Sequence, residues 1–141
     1  MIYNKTLNLT DYAFLPEIQD IKFIHKLLVD KGVANRFEHH HRAWEYGLAL
    51  HALKANNATT ILDVGGGGSI FAPTAAWCGM QVIQVDPEGY GHWAKEQEQV
   101  ILRTLPYVQV DFFDYQDDTK YDAVTAISVI EHVERDHDFM L

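Results

Sequence analysis

Four consecutive glycines, Gly65–Gly68, lie near the middle of the sequence between two apolar runs. The run before them ends in Asp63 and Val64, and the run after them begins at Ile70. Glycine tolerates positive φ and has no Cβ, so another group can approach its backbone closely. Four glycines in a row lose much conformational entropy on folding, which destabilises a fold unless such a group packs against them. A flexible linker is the alternative, but hydrophobic segments rarely border a linker this sharply. The run therefore indicates a buried strand whose carboxyl end leads into a ligand-binding loop.

The spacing of apolar residues divides the chain near residue 57. Before it, apolar residues recur every three or four positions, which predicts amphipathic helices over 16–31 and 42–55. After it, strands are predicted over 60–64, 81–85, 107–110 and 121–127, and helices over 69–77 and 92–105. Apolar runs this continuous are typical of a parallel α/β layer, whose ligands bind beyond the carboxyl ends of the strands.

The size and charge of the chain narrow its class. A chain of 141 residues with 48% hydrophobic content can form one domain around a single core. Its formal charge of −9 disfavours a nucleic-acid partner, because Lys and Arg are too few to neutralise a phosphate backbone. The sequence has no apolar stretch of membrane-spanning length, no secretory-signal pattern and a single cysteine, Cys78. We therefore expect a cytoplasmic protein with no membrane partner and no internal disulfide.

Three consecutive histidines, His39–His41, precede the second predicted helix. Imidazole is a common metal ligand, which suggests a metal site at this position. Adjacent side chains on a helix point about 100° apart, however, so the three rings cannot converge on one ion without ligands from elsewhere. We therefore interpret them as the solvated beginning of a helix and predict no metal site.

Acidic or polar residues follow each predicted strand. Asp63, Asp86 and Asp111 end the first three strands, and Ser128 and Glu131 follow the fourth. Because the carboxyl ends of parallel strands meet at one edge of the sheet, these side chains are expected to face one crevice. Asp86 lies 23 residues beyond Asp63, where an acid in such a sheet accepts hydrogen bonds from ribose hydroxyls. The alternative is that Asp86 only caps the turn that follows it.

The glycine loop does not match the dinucleotide-binding pattern Gly-x-Gly-x-x-Gly, whose third glycine would fall on Ile70 or Phe71. A carboxylate at Asp63, directly before the loop, would repel a pyrophosphate but attract an ammonium group. A ligand with an ammonium end and a ribose but no phosphate is S-adenosylmethionine. The residues therefore favour that ligand, and a Rossmann-type nicotinamide or nucleotide-sugar enzyme is the alternative.

Four segments resemble the motifs of class I S-adenosylmethionine-dependent methyltransferases in their order and spacing. Segment 63–69 resembles Asp-x-Gly-x-Gly-x-Gly with serine at the last position, and 85–86, 110–112 and 121–133 resemble the later motifs. The resemblance implies an α/β fold with a Rossmann-like parallel sheet of strand order 3-2-1-4 and flanking helices. Residues 1–56 would form an N-terminal helical segment that packs on the core, and 57–141 the S-adenosylmethionine-binding half of one methyltransferase domain.

The resemblance also implies which residues bind the cofactor. They are Asp63, Gly65, Gly66, Gly67, Ser69, Asp86, Pro87, Asp111, Phe112 and Ser128. Asp63 would hold the amino group of S-adenosylmethionine, Asp86 the ribose hydroxyls and Asp111 the adenine amino group. For Asp111, the solvated acid of an ordinary loop is a strong alternative.

The acceptor side is assigned by the same resemblance. Trp44, Glu45 and Tyr46 would line the pocket of a small-molecule methyl acceptor, unless Trp44 belongs to the core. His132 is the candidate general base, since the pKa of an imidazole lies near neutrality, and Glu131 is a similar candidate. A histidine that only fixes the start of a helix would explain His132 equally well.

The sheet of that family continues beyond a fourth strand, whereas this chain ends at Leu141, shortly after its fourth predicted strand. We therefore expect a fragment of a longer protein, with self-association into a homo-oligomer covering the open edge of the fourth strand. The leading hypothesis is a methyltransferase that acts on a small molecule. Because the missing strands carry part of the usual acceptor site, a non-catalytic S-adenosylmethionine-binding module is the second hypothesis.

Overall fold

The computed structural model describes residues 15–34, 40–127 and 129. Two helices, α1 (Pro16–Asp30) and α2 (His40–Ala55), precede the first strand. The elements that follow are β1 (Thr60–Val64), α3 (Phe71–Trp77), β2 (Gln81–Asp86), α4 (Gly91–Ile101), β3 (Tyr107–Gln109), a 3₁₀ turn (Phe112–Asp114) and β4 (Ala123–Thr125). None of the described helices is long and apolar enough to cross a membrane.

The described strands form one parallel sheet in the order β3-β2-β1-β4. β1 lies between β2 and β4, so the loop after β1 is flanked by the carboxyl ends of two other strands. In this register Asp63 lies opposite Gln84 of β2 and Thr125 of β4. The parallel pairing and the strand order confirm the predicted Rossmann-like α/β sheet.

The main core lies on one face of the sheet. Ile61 and Val82 belong to it, together with buried side chains of all four helices, among them Ile21, Ile24, Leu28, Leu50, Leu53, Phe71, Ala75, Ala94 and Ile101. Successive side chains of a strand point to opposite faces, so Leu62, Val64 and Val85 form a second, smaller cluster. Both N-terminal helices therefore contribute to the core that supports the carboxyl end of β1.

The helix predicted over 92–105 is shorter than expected, because α4 ends at Ile101. Leu102 adopts the left-handed conformation with φ 55°, which ends the helical hydrogen bonding. The side chain of Glu98 then accepts a hydrogen bond of 2.5 Å from the backbone N–H of Leu105. The apolar periodicity continues past the helix end because Leu105 is still buried in the core.

The last strand, predicted over 121–127, comprises only Ala123–Thr125. The residue before it, Asp122, uses its carboxylate to cap the start of β1. Asp122 Oδ2 accepts hydrogen bonds of 2.8 Å from the N–H of Thr59 and 2.9 Å from the N–H of Thr60. The hydroxyl of Tyr121 bonds Asp117, so that Tyr121 belongs to the preceding loop rather than to β4.

Candidate functional site

Backbone conformation and close packing explain the glycines after β1. Gly65 and Gly68 have φ of 68° and 74°, a region that favours glycine. A Cβ on Gly66 would collide with the carboxylate of Asp63, and a Cβ on Gly67 would lie 2.7 Å from Asp86 Oδ2. The positive φ of Gly65 and Gly68, and the packing of Asp63, Asp86 and the Tyr90 ring against Gly66 and Gly67, therefore account for the glycines even before a ligand is considered.

Asp63 is a buried carboxylate at the end of β1, only 2% exposed. Its Oδ1 accepts a hydrogen bond of 2.6 Å from Thr125 Oγ1, whereas its Oδ2 is buried without a hydrogen-bond partner in the described part of the chain. Burial raises the pKa of Asp63 to about 7; the Thr125 hydroxyl acts in the opposite direction, and the charge of Asp86 adds to the increase. An ammonium group beside Oδ2 would satisfy this oxygen and stabilise the ionised form.

Asp86 joins the end of β2 to the glycine loop. It is 5% exposed, and its Oδ2 accepts a hydrogen bond of 2.9 Å from the N–H of Gly67. Its Oδ1 accepts one of 2.8 Å from the N–H of Glu88, so Asp86 does cap the turn that follows it. A carboxylate has about four lone-pair sites, so these two bonds are compatible with further bonds from ribose hydroxyls.

A cleft of about 160 Å³ opens beside the glycine loop. It is lined by Arg42, Tyr46, Asp63, Gly65, Gly66, Gly67, Ser69, Phe71 and Ile127. Pockets that enclose a whole drug-sized ligand measure roughly 300–1,000 Å³, so this cleft fits one end of such a ligand. The structure thus brings Asp63, Ser69, Tyr46 and the predicted glycines to one place.

Two residues of the site were missed in the sequence. Arg42 lines the cleft from the first turn of α2, and its Nη1 lies 2.9 Å from Oε2 of Glu45. Thr125 of β4 holds Asp63 through its hydroxyl. No motif contains Arg42, whereas the position of Thr125 could have been inferred from the sequence. The implied strand order places β4 beside β1, and a buried polar residue there faces Asp63.

The remaining predicted residues within the described ranges lie outside the lining of this cleft. Asp111 is exposed, and its Oδ1 accepts a hydrogen bond of 2.9 Å from the N–H of Phe113, which caps the 3₁₀ turn. Phe112 packs against the smaller cluster of the sheet, and Pro87 is exposed beside Asp86. Asp111 therefore acts as a turn cap here, and its role toward adenine stays a prediction.

The predicted acceptor residues on α2 differ in position. Tyr46 is 7% exposed and lines the cleft, with its ring 5.9 Å from that of Phe71. Trp44 and Glu45 are half-buried outside the lining, and Trp44 Nε1 is buried with no hydrogen-bond partner among the described residues. Of the three, Tyr46 is therefore the residue that faces the site.

Four residues named in the sequence analysis lie outside the part of the chain that the structure describes: His39, Ser128, Glu131 and His132. The predicted roles of Ser128, Glu131 and His132 therefore stay predictions. Within 15–34, 40–127 and 129, no group of three or more His, Cys, Asp or Glu side chains is arranged to hold a metal ion.

Comparison with solved structures identifies similar folds. A crystal structure from Klebsiella pneumoniae, provisionally named an O-methyltransferase, matches with a TM-score of 0.52 at 12% sequence identity. The match covers 79% of this chain and 54% of that protein, so the chain spans about half the length of this structure. At this identity the likeness concerns the fold. No curated protein matches the sequence.

A sequence profile of the methyltransferase domain matches residues 62–141, which include the glycine loop and run to the end of the chain. The match begins inside β1 and covers more than half of the sequence. Together with the strand order and the acids that pack on the glycine loop, it establishes the family: the chain belongs to the methyltransferase-domain family.

Proposed function

We propose that the chain binds S-adenosylmethionine at the glycine loop and serves methyl transfer to a small-molecule acceptor. One observation carries this proposal. Asp63 Oδ2 is buried in the wall of the cleft and has no hydrogen-bond partner among the described residues. A buried acceptor without a partner is unfavourable, and an ammonium group is the chemical complement of a carboxylate. The amino end of S-adenosylmethionine supplies such a group.

The other parts of the cofactor are assigned to the remaining strand ends. Asp86 would accept the ribose hydroxyls while keeping its bonds to the glycine loop and the turn. Asp111 and Phe112, which follow β3, would contact the adenine. Ser69, Pro87 and Ser128 complete the proposed set. Each of these residues lies within the range that the methyltransferase profile matches.

The sulfonium of the cofactor supplies an activated methyl group, so the chain has to align the acceptor and remove its proton where it has one. His132 and Glu131 are the proposed groups for proton removal. Tyr46 would contact the acceptor from α2, with Trp44 and Glu45 beside it. The charge of −9 supports a small acceptor over RNA or DNA.

A second candidate is a module that binds S-adenosylmethionine without turnover. The observation that favours it is that Asp63, with its buried unpartnered oxygen, and Asp86, bonded to the glycine loop, account for binding among the described residues and not for turnover. Single-turnover incubation with labelled S-adenosylmethionine and a panel of small phenols, amines and carboxylic acids separates the two. Methyl transfer to any of them supports the enzyme. Binding without transfer across the panel supports the module.

The binding proposal itself is tested by calorimetric titration with S-adenosylhomocysteine and with NAD. We expect binding of S-adenosylhomocysteine and at least about tenfold weaker binding of NAD, because a pyrophosphate would approach the carboxylate of Asp63. Tighter binding of NAD would overturn the proposal in favour of a nicotinamide enzyme.

A further inference from the structure

Gln84 is a buried glutamine of β2, only 2% exposed, and none of the motifs in the sequence includes it. Its Nε2 is buried and has no hydrogen-bond partner in the described part of the chain. A buried amide donor without a partner is unfavourable, and such groups in folded proteins usually serve a purpose other than stability. The surroundings of Gln84 indicate what this purpose is.

We propose that Gln84 is a positioning residue for Asp63: its amide donates a hydrogen bond to Oδ2 of the ionised carboxylate and so prepares it for an ammonium group. This inference rests on the proposed function and deepens it, because it names a residue that acts on the cofactor through Asp63. It predicts that Gln84 sets the pH range in which the cofactor binds, although Gln84 lies outside the lining of the cleft.

The register of the sheet places Gln84 beside Asp63. The two residues lie opposite each other on neighbouring parallel strands, so their side chains project to the same face. That face carries the main core, because Ile61 of β1 and Val82 of β2, each two residues earlier, belong to it. Neighbouring strands lie about 4.8 Å apart, so rotation about the side-chain torsions of Gln84 brings its amide within reach of Asp63.

On this face Asp63 has a neutral donor on each side. On the β4 side, Thr125 Oγ1 donates to Asp63 Oδ1 at 2.6 Å. On the β2 side, Asp63 Oδ2 and Gln84 Nε2 are both buried, and neither has a hydrogen-bond partner among the described residues. An acceptor and a donor at opposed register positions are complementary, and a hydrogen bond between them satisfies both.

The bond from Gln84 leaves Asp63 able to bind the ligand. A carboxylate offers about four lone-pair sites, and the two neutral donors occupy two of them. An amide carries no charge at any pH, so it stabilises the carboxylate without replacing the ammonium group as its counter-charge. The titratable groups that face Asp63 from other elements are Asp86, whose charge raises the pKa of Asp63, and Arg42 and Tyr46 of α2 across the cleft. Substitution of Gln84 leaves these groups in place.

The experiment removes the amide and follows the ionisation of Asp63. The wild type, Gln84→Met and Gln97→Met are titrated with S-adenosylhomocysteine by calorimetry between pH 5.5 and pH 8.5. The ligand-free chains are also unfolded in urea at pH 5 and pH 8. Gln97 is the matched control, since it is a buried glutamine on α4 whose Nε2 donates to the carbonyl of Val33. Gln84→Leu replaces Gln84→Met if the latter does not fold.

In Gln84→Met, the midpoint of the pH dependence of binding should rise by about one pH unit, because ionised Asp63 loses a donor. The affinity should therefore fall about tenfold at pH 6 and stay within about twofold of the wild type at pH 8.5. Gln97→Met should leave the midpoint unchanged, since its hydrogen bond does not involve Asp63.

The stability of the ligand-free variants separates the two glutamines in a second way. At pH 5 Asp63 is protonated, and Gln84→Met removes only a donor without a partner, so its stability should not fall. A higher pKa of Asp63 extends the loss of stability to higher pH, so Gln84→Met should be less stable than the wild type at pH 8. Gln97→Met should lose stability equally at both pH values, because it removes a bond that is present at both.

A double substitution tests whether Gln84 acts through Asp63. In the Asp63→Asn background, Gln84→Met should change the affinity at pH 6 by less than about twofold, because no carboxylate is left to stabilise. A loss of about tenfold in that background would overturn the inference.

The remaining results separate this inference from the proposed function. If the folded wild type does not bind S-adenosylhomocysteine, the proposed function fails and the inference fails with it. If the wild type binds and Gln84→Met keeps its midpoint, the proposed function stands and the role of Gln84 is wrong. If Gln84→Met weakens binding equally at every pH, or loses stability equally at pH 5 and pH 8, Gln84 has a structural role only, and the inference is likewise wrong.

Discussion

At the scale of single residues, Asp63 combines a cost in stability with a proposed role in binding. The pKa of its buried carboxyl is raised to about 7 from an ordinary value of 3.8, because burial disfavours the charge. Between these two pH values the folded chain holds a proton that the unfolded chain has released. The contribution of Asp63 to the free energy of unfolding therefore falls as the pH rises from about 4 to about 7. It is lowest above pH 7.

Asp63→Asn should stabilise the protein above pH 7. We expect the free energy of unfolding at pH 8 to rise by roughly 2–4 kcal/mol, since one pKa unit corresponds to about 1.4 kcal/mol, and to change little at pH 4. Urea denaturation at both pH values measures this. Asp114→Asn, at an exposed carboxylate, is the control. An equal effect of Asp63→Asn at pH 4 and pH 8 would show that Asp63 is not responsible for the pH dependence.

Thr125→Val should move the pH dependence of ligand binding. The hydroxyl of Thr125 donates to Asp63 Oδ1 and lowers the pKa of that carboxyl, so its removal raises the pKa further. The affinity for S-adenosylhomocysteine should then rise with pH around a midpoint about one unit higher than in the wild type. Titrations between pH 5.5 and pH 8.5 give the midpoint, with Thr104→Val, at an exposed position, as the control. An unchanged midpoint would show that the hydroxyl of Thr125 does not affect the ionisation of Asp63.

At the scale of elements, the glycine loop is shaped by β1 and β2 together. Gly65 N–H donates a hydrogen bond of 2.8 Å to the carbonyl of Val85, and Gly67 N–H donates one to Asp86. The loop is therefore tied to the end of β2 at two points. A Cβ on Gly66 or Gly67 would collide with Asp63 or Asp86, and Gly65 and Gly68 adopt positive φ, which together explain why side chains are absent from four successive positions.

Gly66→Ala tests this packing. The new Cβ would collide with Asp63, whose carboxylate cannot move freely because Thr125 holds it. We expect a loss of about 1–3 kcal/mol in the free energy of unfolding, as overpacking predicts, and at least about tenfold weaker binding of S-adenosylhomocysteine.

The matched control is Gly89→Ala, where the nearest atom, Gln109 Nε2, lies 4.0 Å from the added Cβ. Its effect on unfolding should stay within about 0.5 kcal/mol. Chemical denaturation and calorimetry measure both variants. Equal effects at Gly66 and Gly89 would mean that the packing of Asp63 on the loop is unimportant.

At the scale of the whole molecule, the sequence predicted the elements that local pattern determines. The parallel sheet, its order and the placement of Asp63 and Asp86 at strand ends follow from apolar runs and from the resemblance. The predicted end of α4 was wrong because the buried Leu105 continues the apolar pattern beyond Ile101, where the helix ends. Arg42 could not be predicted, because its place depends on how α2 packs against α1 and α3, which no local pattern encodes.

We also propose that a second copy of the chain covers the outer edge of β4. β4 pairs with β1 on one side, and Val124 is 58% exposed. Sedimentation equilibrium should show a concentration-dependent homo-oligomer, and Val124→Lys should shift it toward the monomer, since lysine on an edge strand opposes pairing. Val108→Lys on β3, at the opposite edge and 37% exposed, is the control. A monomeric wild type at all concentrations would contradict the proposal.

Whether Asp63 holds the amino group of the cofactor is tested by the affinity of S-adenosylhomocysteine for the wild-type chain and for Asp63→Asn, measured by calorimetry at pH 7.5. We expect the wild type to bind and the variant, although more stable, to bind at least about tenfold more weakly, because its amide cannot balance the ammonium charge. Equal affinity of the two proteins, or no binding by a folded wild type, would contradict it.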